Sequence, residues 1–275
     1  EISAAGHKVL GAKRGGNGDP CQTDLRIAQN GSALAVVVAD GHRAGAHAST
    51  GARIAVDVAT KALLAFAANL GDKRRNNARA VQGLAQDRFR EALVKEWGQK
   101  VQEHAGTGQV NLDEYGTTLL FALVTRDFIL FGQLGDGDIM VIDDSGTESR
   151  PFPPNRARAE NESARPLMAE AATNLRVLAM PLPEFETLLF IGTNGYKKSF
   201  ATEAEFEGMG PDYIEMVRDD GLVVVADALY GFVTNVTTPG AGDDVAFGLV
   251  HMPIDIISPQ WDEGNQPCRL FSARS

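Results

Sequence analysis

Residues 117–142 read TTLLFALVTRDFILFGQLGDGDIMVI. Three apolar runs of strand length, over 117–125, 128–133 and 138–142, are separated only by Arg126-Asp127 and by Gly135-Asp136-Gly137. A parallel crossover needs a dozen or more residues, so connectors this short make neighbouring strands antiparallel. The stretch sets the sheet chemistry of the chain, and the flanking segments say what covers it.

Upstream, residues 33–39 form a continuous apolar run bounded by Asn30-Gly31 and Asp40-Gly41, the pattern of a strand buried on both faces. From about 46 to 70 the period changes. Ile54, Val58, Ala62 and Phe66 recur every four residues, which predicts an amphipathic helix. A second helical stretch spans 76 to about 104, with Val81, Leu84, Phe89, Leu93 and Trp97 as its apolar side, and Gly106-Thr107-Gly108 ends it. Downstream, Asp143-Asp144-Ser145-Gly146 is a turn, and residues 151–172 show little periodicity, as a surface excursion does. Strands are expected near 175–179 and 187–191, helices near 213–218 and 222–236, and a last strand over 245–251. There is no repeat and no linker, so residues 1–275 read as one domain in which helices cover sheets whose inner faces meet.

Composition bounds the function. The chain has 275 residues, 44 % of them hydrophobic, and a net charge of −10 from 36 acidic against 26 basic residues, which argues against nucleic acid or an anionic membrane as the main partner. Cys21 and Cys268 form no CxxC pair and are too few for a disulfide framework, so a reducing compartment is the simpler reading. No apolar run reaches membrane length and no basic-then-apolar signal opens the chain, so a cytoplasmic location is the expectation.

Four corners carry acidic or amide side chains at strand ends: Asp40-Gly41-His42, Gly135-Asp136-Gly137-Asp138, Thr193-Asn194-Gly195 and Gly242-Asp243-Asp244. Carboxylates converging at one end of a sheet would make an oxygen-rich site for a hard cation such as Mg²⁺, Mn²⁺ or Ca²⁺. Asp-Gly and Asn-Gly are also favoured turn pairs, so each corner alone has a bland explanation. His42, two residues after Asp40, is placed to put an imidazole beside such a site. No HExxH, GxSxG or GxxxxGK[ST] pattern occurs, which disfavours zinc-peptidase, serine-hydrolase and P-loop chemistry.

Taken in order, these corners resemble the metal-dependent Ser/Thr protein phosphatases of type 2C, the PPM family, and in flavour their divergent prokaryotic members. VVVADGHRAGAHASTGARIAV resembles the family's strand–DGH–helix segment, YGTTLLFALV its GTT strand and FGQLGDGDIMVI its GDSR hairpin. LLFIGTNGYKKSF resembles the segment usually reading S/T-D-G, and GAGDDVAFGLV the closing strand. The resemblance implies an α+β sandwich, two central antiparallel sheets flanked by helices with a metal cleft at one end, holding two Mg²⁺ or Mn²⁺ ions. It implies metal-ligand roles for Asp40, Gly41, Asp243 and position 194, a weaker third-metal role for Asp136, and a general-acid role for His42. Arg14 would hold the phosphate. A phosphorylated protein would be the substrate and a Ser/Thr kinase a candidate partner.

Two departures from that pattern stand out. The opening motif allows two registers, Asn17-Gly18-Asp19 or Gln22-Thr23-Asp24. Asp24 is the favoured metal ligand of the two, because Leu25/Ile27 alternation follows it directly; in both registers the usual glutamate is missing. Position 194 is Asn, a neutral ligand where the pattern has a carboxylate. Weakened metal binding is therefore expected. The sequence leaves open a hydrolase of phosphoserine and phosphothreonine, a catalytically silent relative that binds phosphoproteins or a kinase, and an unrelated metal-binding α/β protein.

Overall fold

The computed structural model describes residues 1–11, 20–42, 45–71, 77–108, 110–153, 172–237 and 242–254. Arg14, the Asn17-Gly18-Asp19 register, Cys268 and most of the 151–172 excursion lie outside these residues.

Ten strands occur among the described residues: β1 Ser3–Val9, β2 Thr23–Asn30, β3 Ala33–Asp40, β4 Leu119–Val124, β5 Phe128–Leu134, β6 Asp138–Ile142, β7 Glu148–Ser149, β8 Arg176–Pro181, β9 Thr187–Gly192 and β10 Val245–Met252. They make two five-stranded antiparallel sheets, ordered β1-β10-β9-β6-β7 and β2-β3-β4-β5-β8. The period-two alternation of side chains places the core. In β3, Val36 and Val38 pack between the sheets with Ala122, Ile191 and Ala246, while Ala35, Val37 and Ala39 face a helical layer. Both faces of β3 are covered, so its near-continuous apolar run is what the fold demands.

One layer outside the second sheet holds α1 Ala48–Asn69, α2 Ala78–Leu84, a π-helical turn Ala85–Phe89 and α3 Arg90–Ala105. Of the long second helical stretch expected from sequence, Ala78 to Ala105 is helical, interrupted by that turn. The other layer holds the short α4 Asn194–Lys197 and α5 Glu203–Glu207, followed by α6 Gly210–Asp220 and α7 Leu222–Thr237, packed on Phe190, Phe247 and Leu249.

One expectation is corrected here. β5 and β6 do not pair with each other despite their three-residue connector: β5 lies in the second sheet and β6 in the first, beside β9. Gly135 and Gly137, at φ 80° and 130°, take backbone conformations that redirect the chain across the gap between the sheets instead of closing a hairpin. β1 was not foreseen either. Its sequence, SAAGHKV, carries one large aliphatic residue, and its place is set by pairing with β10.

Candidate functional site

β3 ends at Asp40, whose amide donates to Thr118 Oγ1 at 3.0 Å while its carbonyl accepts from the Thr118 amide at 2.8 Å. The next residue, Gly41, donates its amide to the Gln22 carbonyl at 3.0 Å. A Cβ on Gly41 would stand 2.6 Å from the Ala48 carbonyl oxygen at the start of α1, so glycine alone lets the strand end meet the helix. His42 is half-buried. Its amide donates to the Gly116 carbonyl at 2.7 Å, and its carbonyl accepts from Gly45 at 2.8 Å.

The first sheet supplies the facing corners. After β9, the Thr193 amide donates to the Ala246 carbonyl at 2.9 Å, and the Ala246 amide donates to Thr193 Oγ1 at 3.0 Å. Asn194 then opens α4, a single turn that replaces the simple corner expected from sequence. A Cβ on Gly195 would stand 2.4 Å from the Asp244 carbonyl oxygen, which places Asn194 close beside the Gly242-Asp243-Asp244 corner.

Asp244 ties the corners together. It is 5 % exposed, and its carboxylate accepts from the Gly11 amide at 2.8 Å and from the Gln22 amide at 2.7 Å. Because the Gln22 carbonyl in turn accepts from Gly41, one residue links the end of β3 to the start of β10 across the two sheets. The Asp40-Gly41-His42, Thr193-Asn194-Gly195 and Gly242-Asp243-Asp244 corners therefore gather at one end of the sandwich. Asp136 lies on the exposed β5–β6 connection. Its neighbour Gly137 comes so near the Gly192 carbonyl that a Cβ there would be 2.8 Å away, so this corner lies at the same end.

Asp24 is placed differently. In the β2–β3 register Thr23 lies opposite Asp40 and Asp24 opposite Ala39. Asp24 thus shares its strand face with Arg26, which pairs with Asp57 of α1, and its carboxylate accepts from Lys8 Nζ at 2.7 Å. A one-residue step in a strand moves a side chain to the other face, so Asp24 and Asp40 do not share a face.

Two lysines mark the electrostatics. Lys8 sits on Asp24, and Lys198 Nζ donates to Asp243 Oδ2 at 2.9 Å. Asp138, beside the Asp136 corner, is paired with Arg150 at 2.9 Å. Burial pushes its carboxyl above the usual range, against the pull of that guanidinium. Among the described residues no three His, Cys, Asp or Glu side chains stand together as a metal-holding group. The corners at this end carry Asp40, the Gly41 carbonyl, Asn194 and Asp243, oxygen donors of a kind that suits a hard divalent cation but whose summed charge is low. Sequence reading named Asp244 only as part of its corner, with no role of its own, and missed Lys198. The Asp243-Asp244 doublet and the four-residue spacing from Asn194 to Lys198 were the available signals.

A family model described as protein phosphatase 2C matches residues 10–233. The fold is similar to that of a bacterial serine phosphatase at 15 % identity and a TM-score of 0.65, covering 91 % of this chain and 98 % of that one. It is also similar to the serine/threonine phosphatase Stp1 from Staphylococcus aureus, at 14 % identity and 0.61, covering 92 % and 95 %. The catalytic domain of the serine threonine protein phosphatase PstP, solved with two manganese ions, matches at 13 % identity and 0.56, covering 92 % and 98 %. No curated protein matches the chain.

Proposed function

This chain belongs to the protein phosphatase 2C family, and from that premise we propose that it is a metal-dependent phosphatase of phosphoserine and phosphothreonine in proteins, with a weakened demand-limited metal site. The observation that supports the reading is the Asp244–Gln22–Gly41 junction, which ties the end of the strand bearing Asp40 to the corner that precedes β10, so that both corners lie at one end of the sandwich.

Asp40, the Gly41 carbonyl, Asn194 and Asp243 are the residues that would hold Mg²⁺ or Mn²⁺, and Asp136 would serve a third, weaker ion. When bound, the cation supplies Lewis-acid polarisation of the phosphoryl group and a water of lowered pKa. The remaining work belongs to the chain. Thr118 anchors Asp40 through two hydrogen bonds at the mouth between the sheets. The His42 backbone is held at both its amide and its carbonyl, so the ring is carried on a fixed stem. Its proton goes to the departing seryl or threonyl oxygen, a poor leaving group as an alkoxide. Arg14 is proposed to grip the phosphate through its charged fork. The substrate is a phosphorylated protein, and a Ser/Thr kinase is a proposed partner. No helix among the described residues is long and apolar enough to cross a membrane, and a cytoplasmic place is proposed.

A second reading, phosphoprotein binding without turnover, is favoured by the neutral Asn194 and by Thr23 standing where a carboxylate opposite Asp40 would add charge. Hydrolysis of p-nitrophenyl phosphate in millimolar Mn²⁺ separates the two. The phosphatase reading expects turnover that Asp40→Ala abolishes and Asn194→Asp increases. Activity untouched by Asp40→Ala sinks it. No turnover, together with measurable binding of a phosphothreonine peptide, transfers support to the second reading.

A further inference from the structure

We infer that Lys198 is a built-in competitor for the divalent cation at Asp243, and that it, together with Asn194, sets how much metal this chain needs. The inference rests on the metal-site reading above.

Lys198 follows α4 directly, four residues after Asn194, and its amide donates to the Asn194 carbonyl at 3.3 Å. Residues at this spacing lie on the same side of a helical turn. The backbone there has little freedom. Tyr196 is fully buried and shares a 2.6 Å hydroxyl–hydroxyl hydrogen bond with Tyr213, and the buried Ser199 hydroxyl donates to the Gly195 carbonyl at 3.0 Å. Between those anchors Lys198 directs its ammonium to Asp243 at 2.9 Å, whereas the adjacent Lys197 turns to Glu203.

The consequence is a charge count. With a carboxylate at 194 and no lysine at 198, positions 194, 198 and 243 would carry −2; here Asn194 contributes 0, Asp243 −1 and Lys198 +1, which sums to zero. A divalent ion entering beside Asp243 must displace the ammonium or bear its repulsion. With Lys198 about half exposed, screening by water limits the penalty to something on the order of tenfold in affinity.

The test is Mn²⁺ titration by isothermal calorimetry of the full chain and of Lys198→Met and Lys198→Arg, with circular dichroism to verify folding. Lys198→Met keeps the length and removes the charge, so it should bind Mn²⁺ roughly tenfold more tightly, while Lys198→Arg should bind like the parent. Equal or weaker binding by Lys198→Met, binding by Lys198→Arg as tight as by Lys198→Met, or no Mn²⁺ binding by any of the three overturns the inference. Catalysis is judged separately. Absent phosphate release with the Lys198→Met affinity gain intact would remove the phosphatase reading and leave the competition standing.

Discussion

Replacing Asp244 with alanine tests whether the junction described above holds the site end together. The carboxylate satisfies two backbone amides, that of Gly11 in a buried position and that of Gln22 in a partly buried one. Without it both N–H groups lose their acceptor in surroundings poor in water. An unsatisfied buried donor costs about 1–3 kcal/mol, so taking about 2 for Gly11 and about 1 for Gln22 gives a loss of about 3 kcal/mol. For a chain of this size that corresponds to a melting temperature lower by about 6 °C. Asp244→Asn keeps one acceptor oxygen and should lose roughly half as much. Chemical denaturation followed by circular dichroism measures both. The effect should reach function as well, because releasing Gln22 frees the amide of Gly41, and the variant should need more Mn²⁺ for the same rate. A loss below about 0.5 kcal/mol for Asp244→Ala would refute the view that this side chain is the joint between the corners.

Asn194→Asp adds an anion to the donor set, so the Mn²⁺ concentration giving half-maximal phosphate release should fall, by roughly tenfold if the added charge acts at contact distance. Burial, reinforced by the hydroxyl pair, raises the phenol of Tyr196 well above its ordinary value, and burial pushes Tyr213 up to about 12. The folded state therefore keeps protons that the unfolded chain releases from about pH 10, and stability should be complete below that pH and fall as pH rises toward 12; unfolding at pH 9 and pH 11 followed by fluorescence checks it. Burial also raises the Cys21 thiol above its usual range, with the Thr23 hydroxyl acting in the opposite direction. Iodoacetamide at pH 8 should then label native Cys21 more slowly than the unfolded protein, as mass spectrometry of the Cys21 peptide would show.

The layered architecture was legible because both faces of β3 and β4 are covered, which leaves near-continuous apolar runs, and because α1 repeats its apolar residues at helical spacing. Three things were not. β1 has almost no apolar signal of its own, since its place is fixed by ladder hydrogen bonds to β10. The change of sheet between β5 and β6 rests on two glycine backbone conformations, and a short connector reads identically whether it closes a hairpin or crosses a gap. Asp24 looked like the other strand-end carboxylates, but strand register, which a lone sequence does not disclose at an edge, puts Thr23 and not Asp24 opposite Asp40.

At the site, the corners bearing Asp40, Asn194 and Asp243 were readable as polar interruptions of apolar strands. The division of labour within the doublet was not. Asp243 and Asp244 are alike in sequence, and only the fold gives one to Lys198 and the other to two backbone amides. The i, i+4 relation of Asn194 and Lys198 became visible only once the corner proved to be a helical turn.

The proposed phosphatase, with charge-poor oxygen donors at its site, should depend on abundant divalent metal. Phosphate release from a phosphothreonine peptide, measured as Mn²⁺ is raised from zero to millimolar, tests it most directly. No release is expected without metal, with a rise through the millimolar range and none at any concentration for Asp40→Ala; release that ignores Mn²⁺, or that persists in Asp40→Ala, would contradict a metal-dependent phosphatase.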